Sequence, residues 1–248
     1  MTESLFNINS KQGEAYTRSL KMKSCIVMIT LNEEEAIEKQ VNEIRTRVNF
    51  NIPILIVDSS SDKTPEIAEK LGVKIIRQYP PQGYGKAMKI GLLETAKDYD
   101  VVITMDCDMT YPSERINEFI SLIEEGWDCV SANRLNGENK AMPLLNKIGN
   151  IFFACFVGLL FGYKTSDLTT GMRAYRSEVI KSIKWLPLRF FPCELALRIH
   201  QAGYKICDLQ IEYKERVGKV KMQKVRDFLL LVQSIFYCRF TNVQIVKN

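Results

Sequence analysis

A chain of 248 residues, 46% hydrophobic and 25% charged, can bury a full core and fits one α/β domain with a short appendage rather than a disordered or fibrous chain. The net charge of +5 suits a phosphate-bearing partner but is too modest to demand one. Seven cysteines, an odd number with no C-x-x-C pair and several inside apolar runs, read better as reduced thiols in a cytosolic setting, with no structural zinc site expected.

In chain order, Met1 to Lys23 is polar, lacks the apolar core of a secretory signal, and reads as an N-terminal extension. Ser24–Thr30 is an apolar, β-branched strand candidate, followed by a helical pattern over Glu33–Val48. Ile54–Val57 and Val73–Arg77 are further strands, separated by a helix over Thr64–Leu71. Pro80, Pro81, Gly83 and Gly85 then lead into a helix across Lys86–Lys97. Val101–Met105 is a fourth strand, Ser113–Glu125 a helix and Cys129–Ala132 a fifth strand. Solid apolar strands that alternate with helices predict a mostly parallel sheet covered on both faces, with ligands beyond the carboxyl ends of the strands.

Past residue 135 the alternation stops. A helix is expected over Ala141–Phe161, then a polar turn over Thr165–Gly171, a helix over Pro192–Ala202 and a strand over Tyr204–Ile211. The basic stretch Lys214–Arg226 precedes an apolar helix around Phe228–Tyr237. The two most apolar runs, Ile151–Gly162 and Phe228–Tyr237, are shorter than the roughly 20 residues of a membrane span, so no span is predicted.

Two acidic clusters follow predicted strands. Asp58 ends the run Ile-Leu-Ile-Val-Asp, with Asp62 four residues on, and Asp106-Cys107-Asp108 follows Val-Val-Ile-Thr-Met. Carboxylates at i and i+2 of an extended chain point the same way and repel unless a hard cation lies between them, so Asp106 and Asp108 could hold Mg²⁺ or Mn²⁺ on a diphosphate. A bare D-x-D is more often a pair of solvated turn carboxylates, and its position after a buried strand is what raises it above that. Gln82 to Lys86 opens a helix with two glycines, which permits close approach of an anion to the backbone. In the basic stretch Lys214, Arg216, Lys219, Lys221, Lys224 and Arg226 face only Glu215. Such density suits phosphate, although by itself it also describes a solvated face. No stacking-aromatic or nucleic-acid fold signature accompanies it. The lone His200 excludes a histidine-based metal site or triad.

Together these pieces resemble glycosyltransferase family 2, the GT-A fold, and within it the dolichol-phosphate mannose synthase and polyprenyl-phosphate glucosyltransferase branch. The similarity runs from about Ser24 to Met222 through Thr30 to Glu33, Val57 to Ser59, Gly83 to Lys86, Asp106 to Asp108, Asp167 to Arg173 and Arg216 to Lys221, in the family's order. The resemblance implies a catalytic domain over residues 24–222 and a C-terminal amphipathic or apolar helix over 223–248. It implies Leu31, Glu33 and Asp58 around the donor's base and ribose, Gly85 and Lys86 near the same nucleotide, and a metal on Asp106 and Asp108. It also implies Asp167 and Glu194 on the acceptor side, and Arg216, Lys219 and Lys221 in a basic loop closing over phosphates. Met109, Thr110 and Tyr111 replace the family's usual Leu-Gln-His before Pro112, and Val220 replaces a usual serine.

The activity so implied is inverting transfer of a hexose from a nucleoside-diphosphate sugar, GDP-mannose or UDP-glucose, to a polyprenyl or dolichyl phosphate. A phosphate monoester with a second pKa of about 6 is already ionised at neutral pH and needs no strong base. A hydroxyl acceptor would need a base, with Asp167 or Glu194 as candidates, but positioning is the expected role of both. Apolar runs beside a basic stretch suggest peripheral attachment to an anionic, cytoplasmic membrane face. The alternatives are core or homodimer burial of those helices with a soluble or saccharide acceptor, or a non-catalytic nucleotide-binding module.

Overall fold

The computed structural model describes residues 22–48, 51–135, 141–184, 190–218 and 224–241. Seven strands form one sheet: β1 (Ser24–Thr30), β2 (Ile54–Asp58), β3 (Lys74–Arg77), β4 (Val101–Asp106), β5 (Cys129–Asn133), β6 (Arg173–Arg176) and β7 (Ile206–Gln210). Their spatial order is β3-β2-β1-β4-β6-β5-β7, and β6 alone runs antiparallel to its neighbours. The helices are α1 (Ile37–Arg47), α2 (Thr64–Lys70), α3 (Tyr84–Thr95), α4 (Ile116–Glu124), α5 (Leu144–Phe161), α6 (Ser177–Ser182), α7 (Phe191–Gln201) and α8 (Lys224–Phe240).

Alternation along β1 shows why both faces must be covered. Ile26 and Met28 point into one core layer with Ile37, Val41 and Ile44 of α1 and Phe119 and Ile120 of α4. Val27 points into the opposite layer with Met88 and Leu92 of α3 and Phe191, Leu195 and Ile199 of α7. A Cβ at Gly91 would lie 2.5 Å from the Val27 Cγ1, so α3 can approach β1 only because that position is glycine. The outer side of α7 supports a further layer, in which Cys193, Ala196 and Leu197 meet Phe153 and Val157 of α5 and Leu231, Ile235 and Cys238 of α8.

The expected alternation holds through β5, with shifted boundaries. α1 starts at Ile37 rather than Glu33, because the first residues form a turn in which Thr64 Oγ1 accepts the Glu33 N–H at 2.8 Å. The segment expected as one helix from Ser113 opens as a 3₁₀ turn over Ser113–Arg115 before α4. β6 and α6 are elements the sequence reading did not anticipate. The apolar run from Ile151 belongs to an 18-residue helix, α5, long and apolar enough to cross a membrane by length and composition alone, and 22% of it is buried. The seven cysteines are all unpaired, and burial pushes Cys25 and Cys129 up to about 12.

Candidate active site

Strand order reverses direction between β1 and β4, and a crevice at the carboxyl ends of these strands is where open α/β sheets bind ligands. Asp58, Asp106 and Asp108 lie at that edge. Asp58 is fully buried and already answered: its Oδ1 accepts from Thr30 Oγ1 and Ser60 Oγ, both at 2.6 Å, and its Oδ2 pairs with Arg77. It organises the β1 and β2 ends. Leu31 beside it is exposed, and Asp62 turns inward to cap the Thr64 N–H at 2.9 Å.

Asp106 and Asp108 are held differently. Asp108 is buried, its Oδ1 accepting from Thr110 Oγ1 at 2.5 Å and its Oδ2 paired with Arg216 at 2.8 Å. Asp106 is partly buried, and Tyr84 O–H reaches its Oδ1 at 3.4 Å. Burial, and then the neighbouring Asp108 charge, push Asp106 up to about 7. A cation would relieve that clash, and carboxylate oxygens are the right donors for Mg²⁺ or Mn²⁺. Among the described residues no group of three or more His, Cys, Asp or Glu side chains converges. A metal here would thus use Asp106 and, with Arg216 moved off its Oδ2, Asp108, together with phosphate and water oxygens, and the donor chemistry fits that role.

Arg216 also donates to Glu33 Oε1 at 3.3 Å, so one guanidinium ties the β1 loop to the end of β4. The main chain follows it: Val217 N–H donates to the Asp108 carbonyl and Lys214 N–H to the Thr110 carbonyl, each at 2.9 Å. Residues 214–217, the start of the basic stretch, therefore lie directly over the end of β4 and Asp108. Lys219 and Lys221 lie outside the described residues. Gly85 and Lys86 occupy the first turn of α3, with Lys86 bonded to Gln82.

The segment Asp167–Arg173 closes the other side. A Cβ at Gly171 would sit 2.6 Å from Asp106 Oδ2, so the bare backbone there is what lets this loop touch the carboxylate. Tyr111 Oη accepts the Gly171 N–H at 2.7 Å and holds it in place. Asp167 is buried and accepts both arms of Arg134, Nε at 2.6 Å and Nη2 at 2.8 Å, in a bidentate pair. The Arg134 guanidinium in turn lies over the Tyr213 ring, 5.1 Å from its centroid. Arg173, 2% exposed, donates to Ser131 Oγ and to the carbonyls of Leu168 and Pro192 at 2.8–3.0 Å. Glu194 is fully buried in the first turn of α7. Its helix neighbours reach the site: Phe191 packs edge-on against Tyr84 with centroids 6.0 Å apart, and the Pro192 carbonyl accepts from Arg173.

The structure thus brings Glu33, Asp106, Asp108, Arg216 and the Asp167 loop around one crevice. Sequence reasoning missed Arg134 and Tyr111. Arg134 had a usable signal, since it directly follows the buried strand β5, the same placement that singled out Asp106.

The family model for Glycosyl transferase family 2 matches residues 25–184. A dolichyl-phosphate hexose transferase of Haloferax volcanii is 43% identical over 197 residues, covering 79% of this chain and 85% of that protein. A dolichol-phosphate mannosyltransferase of Pyrococcus furiosus is 29% identical over 180 residues, 68% of this chain and 50% of that one. Among solved structures, mannosyl-3-phosphoglycerate synthase from Rubrobacter xylanophilus superposes with a TM-score of 0.72 at 18% identity, covering 90% of this chain and 75% of the other. Glucosyl-3-phosphoglycerate synthase from Mycobacterium tuberculosis, in complex with Mn²⁺, UDP and phosphoglyceric acid, gives 0.69 at 16% identity, covering 89% and 79%. With its mostly parallel sheet, its Asp-Cys-Asp at the end of β4 and these relatives, the chain belongs to glycosyltransferase family 2 and has the GT-A fold.

Proposed function

We propose that this protein transfers a hexose from a nucleoside-diphosphate sugar to a polyprenyl or dolichyl phosphate with inversion at the anomeric carbon. The reading is supported above all by the Asp106 and Asp108 pair beneath Arg216, one cation-seeking and one cation-bearing group at the same strand end. A divalent metal on that pair would supply charge neutralisation for the departing diphosphate. Arg216 sits where it can share that role, and Glu33 fixes its orientation. The donor, GDP-mannose or UDP-glucose, would lie along the β1, β2 and α3 ends, where Leu31 is exposed and Gly85 and Lys86 open the helix. Asp58, with both oxygens answered, shapes that pocket.

The acceptor side favours an ionised phosphate as nucleophile. Asp167 accepts two bonds from Arg134, so its carboxylate is committed to holding the loop rather than to taking a proton from a hydroxyl. The similar Haloferax protein is named for a dolichyl-phosphate acceptor. The same class of acceptor suits the outer layer here. Along α5, Leu144, Leu145, Ile148, Ile151, Phe152 and Leu159 are exposed and form an apolar stripe bordered by the half-buried Lys147. Phe228, Phe236 and Phe240 of α8 are exposed beside it, with Phe156 of α5 meeting Phe236 at 6.0 Å. Arg226 and Arg239 are exposed on α8. An apolar face edged with arginines matches an anionic, cytoplasmic lipid surface better than a second protein copy.

The test is a panel of GDP- and UDP-sugars with Mg²⁺ or Mn²⁺, with and without a polyprenyl phosphate, following nucleoside diphosphate release. Release that requires metal and lipid and vanishes in Asp108→Ala is the expected result. Release driven by soluble acceptors alone would replace the lipid reading, and binding without turnover would leave a nucleotide-binding module.

A further inference from the structure

The inner face of α5 carries one polar side chain among apolar ones. Its buried residues are Asn150, Phe153, Ala154 and Val157. An amide set among aromatic and aliphatic groups costs desolvation unless it is bonded. Asn150 Oδ1 accepts from Thr169 Oγ1 at 2.6 Å. That hydroxyl has only one proton, which is spent on Asn150, so toward Arg134 Nη2 at 3.2 Å it acts as acceptor. Arg134 holds Asp167, and the same loop reaches Gly171 against Asp106. Hydrogen bonds therefore join the inner face of α5 to Asp167, and the backbone of that loop runs on to the close approach of Gly171 to Asp106. The other end of the helix is fixed to α7, since the Phe161 carbonyl lies 3.1 Å from His200 Nε2.

We infer that Asn150 and Thr169 are positioning residues through which contact of α5 with a lipid surface sets the Arg134–Asp167 pair and the loop beside Asp106. The inference rests on the lipid-surface reading above. On it, α5 has two jobs on opposite faces: its outer stripe takes up lipid, and its inner amide carries the resulting placement to the site. A helix shift of a few tenths of an ångström is enough, because a bidentate pair and a glycine contact respond to displacements of that size.

The test separates docking from its consequence by using a water-soluble short-chain prenyl phosphate as acceptor. Turnover is measured with and without phosphatidylglycerol-containing vesicles that carry no acceptor. Vesicles should raise wild-type kcat several-fold, on the order of the five- to 150-fold coupling usual between linked sites. In Asn150→Leu and in Thr169→Val that ratio should fall toward one, while vesicle binding by flotation and the KM for the sugar nucleotide stay at wild-type values. Thr169→Ser keeps the hydroxyl and should restore the ratio. The double variant should lose no more than Thr169→Val alone, since Asn150 acts only through the Thr169 hydroxyl. If Asn150→Leu does not fold, Thr169→Val breaks the same bond from the loop side. Stimulation that survives both variants, effects that multiply, or a serine variant as impaired as valine would overturn the inference while leaving the lipid acceptor intact. A wild type that turns over prenyl phosphates with no response to vesicles also removes it. A wild type that turns over no prenyl phosphate removes the reading beneath it as well.

Discussion

On the β1–β2–β4 side of the crevice, Asp58 and Asp108 are each met by both charge and hydroxyl. Asp58 has Thr30, Ser60 and Arg77, while Asp108 has Thr110 and Arg216, and the helices that back these strands bury their apolar faces against the sheet. On the β5–β7 side the pattern changes. One buried ion pair, Arg134–Asp167, anchors a loop, and beyond it α5 and α8 leave leucine, isoleucine and phenylalanine in solvent. On the proposed reading, the first side would recognise a charged, soluble donor by preset polar geometry, whereas the second would meet a lipid. A crevice between two such surfaces suits a reaction whose two substrates come from different solvents.

The comparison can be broken most severely at its centre. Asp106→Ala should lower kcat by about 10³-fold, since it removes the carboxylate that would carry the metal, with nucleoside diphosphate release as the measure. Stability distinguishes the two sides next. Arg134→Ala leaves the buried Asp167 charge with only the residue-134 main-chain N–H and should cost about 3–5 kcal/mol in urea unfolding. Arg77→Ala leaves Asp58 its two hydroxyl partners and should cost only about 1–2 kcal/mol. An equal loss at both positions would show that the Asp58 pair is no more redundant than the Asp167 pair.

A pH series sharpens the chemistry of the acidic pair. Asp106, raised to about 7 from 3.8, must lose its proton to bind a cation. Mn²⁺ affinity, followed by titration calorimetry, should rise by up to about tenfold per unit from pH 5 to 7 and flatten above. The sign for stability is opposite. A carboxyl with a raised folded-state pKa favours the metal-free fold below 3.8, and that contribution is lost as pH rises through 7. Asp106→Asn should flatten that decline. The smallest change is expected at the outer layer. Leu159, 85% exposed, can become Glu with thermal stability unchanged to within about 0.5 kcal/mol, yet vesicle binding should weaken by about tenfold or more.

The sequence made the first half legible because apolar β1, β2 and β4 and the helices between them obey simple periodicities, and because Asp58, Asp106 and Asp108 stand where those runs end. β6 was hidden for a physical reason. It is a central strand, but its sequence is Arg-Ala-Tyr-Arg, and only the Ser131, Leu168 and Pro192 acceptors make a buried arginine tolerable at its start. The partnership of Arg134 with Asp167, 33 residues apart, and that of Asn150 with Thr169 are likewise set by tertiary placement. Glu194 was visible as an acid at a helix start, yet its full burial in the first turn of α7 is a matter of packing between layers.

The Arg134–Asp167 pair has one more consequence. Arg134 directly follows β5 and Asp167 precedes β6, so their bond clasps the base of a single excursion of the chain that contains the whole of α5. A loop pinned at its neck can lengthen or change composition at little entropic expense, because closure cost grows only with the logarithm of length. The excursion is thereby a cassette: its outer surface can change composition while β4, its two aspartates and the sheet stay as they are.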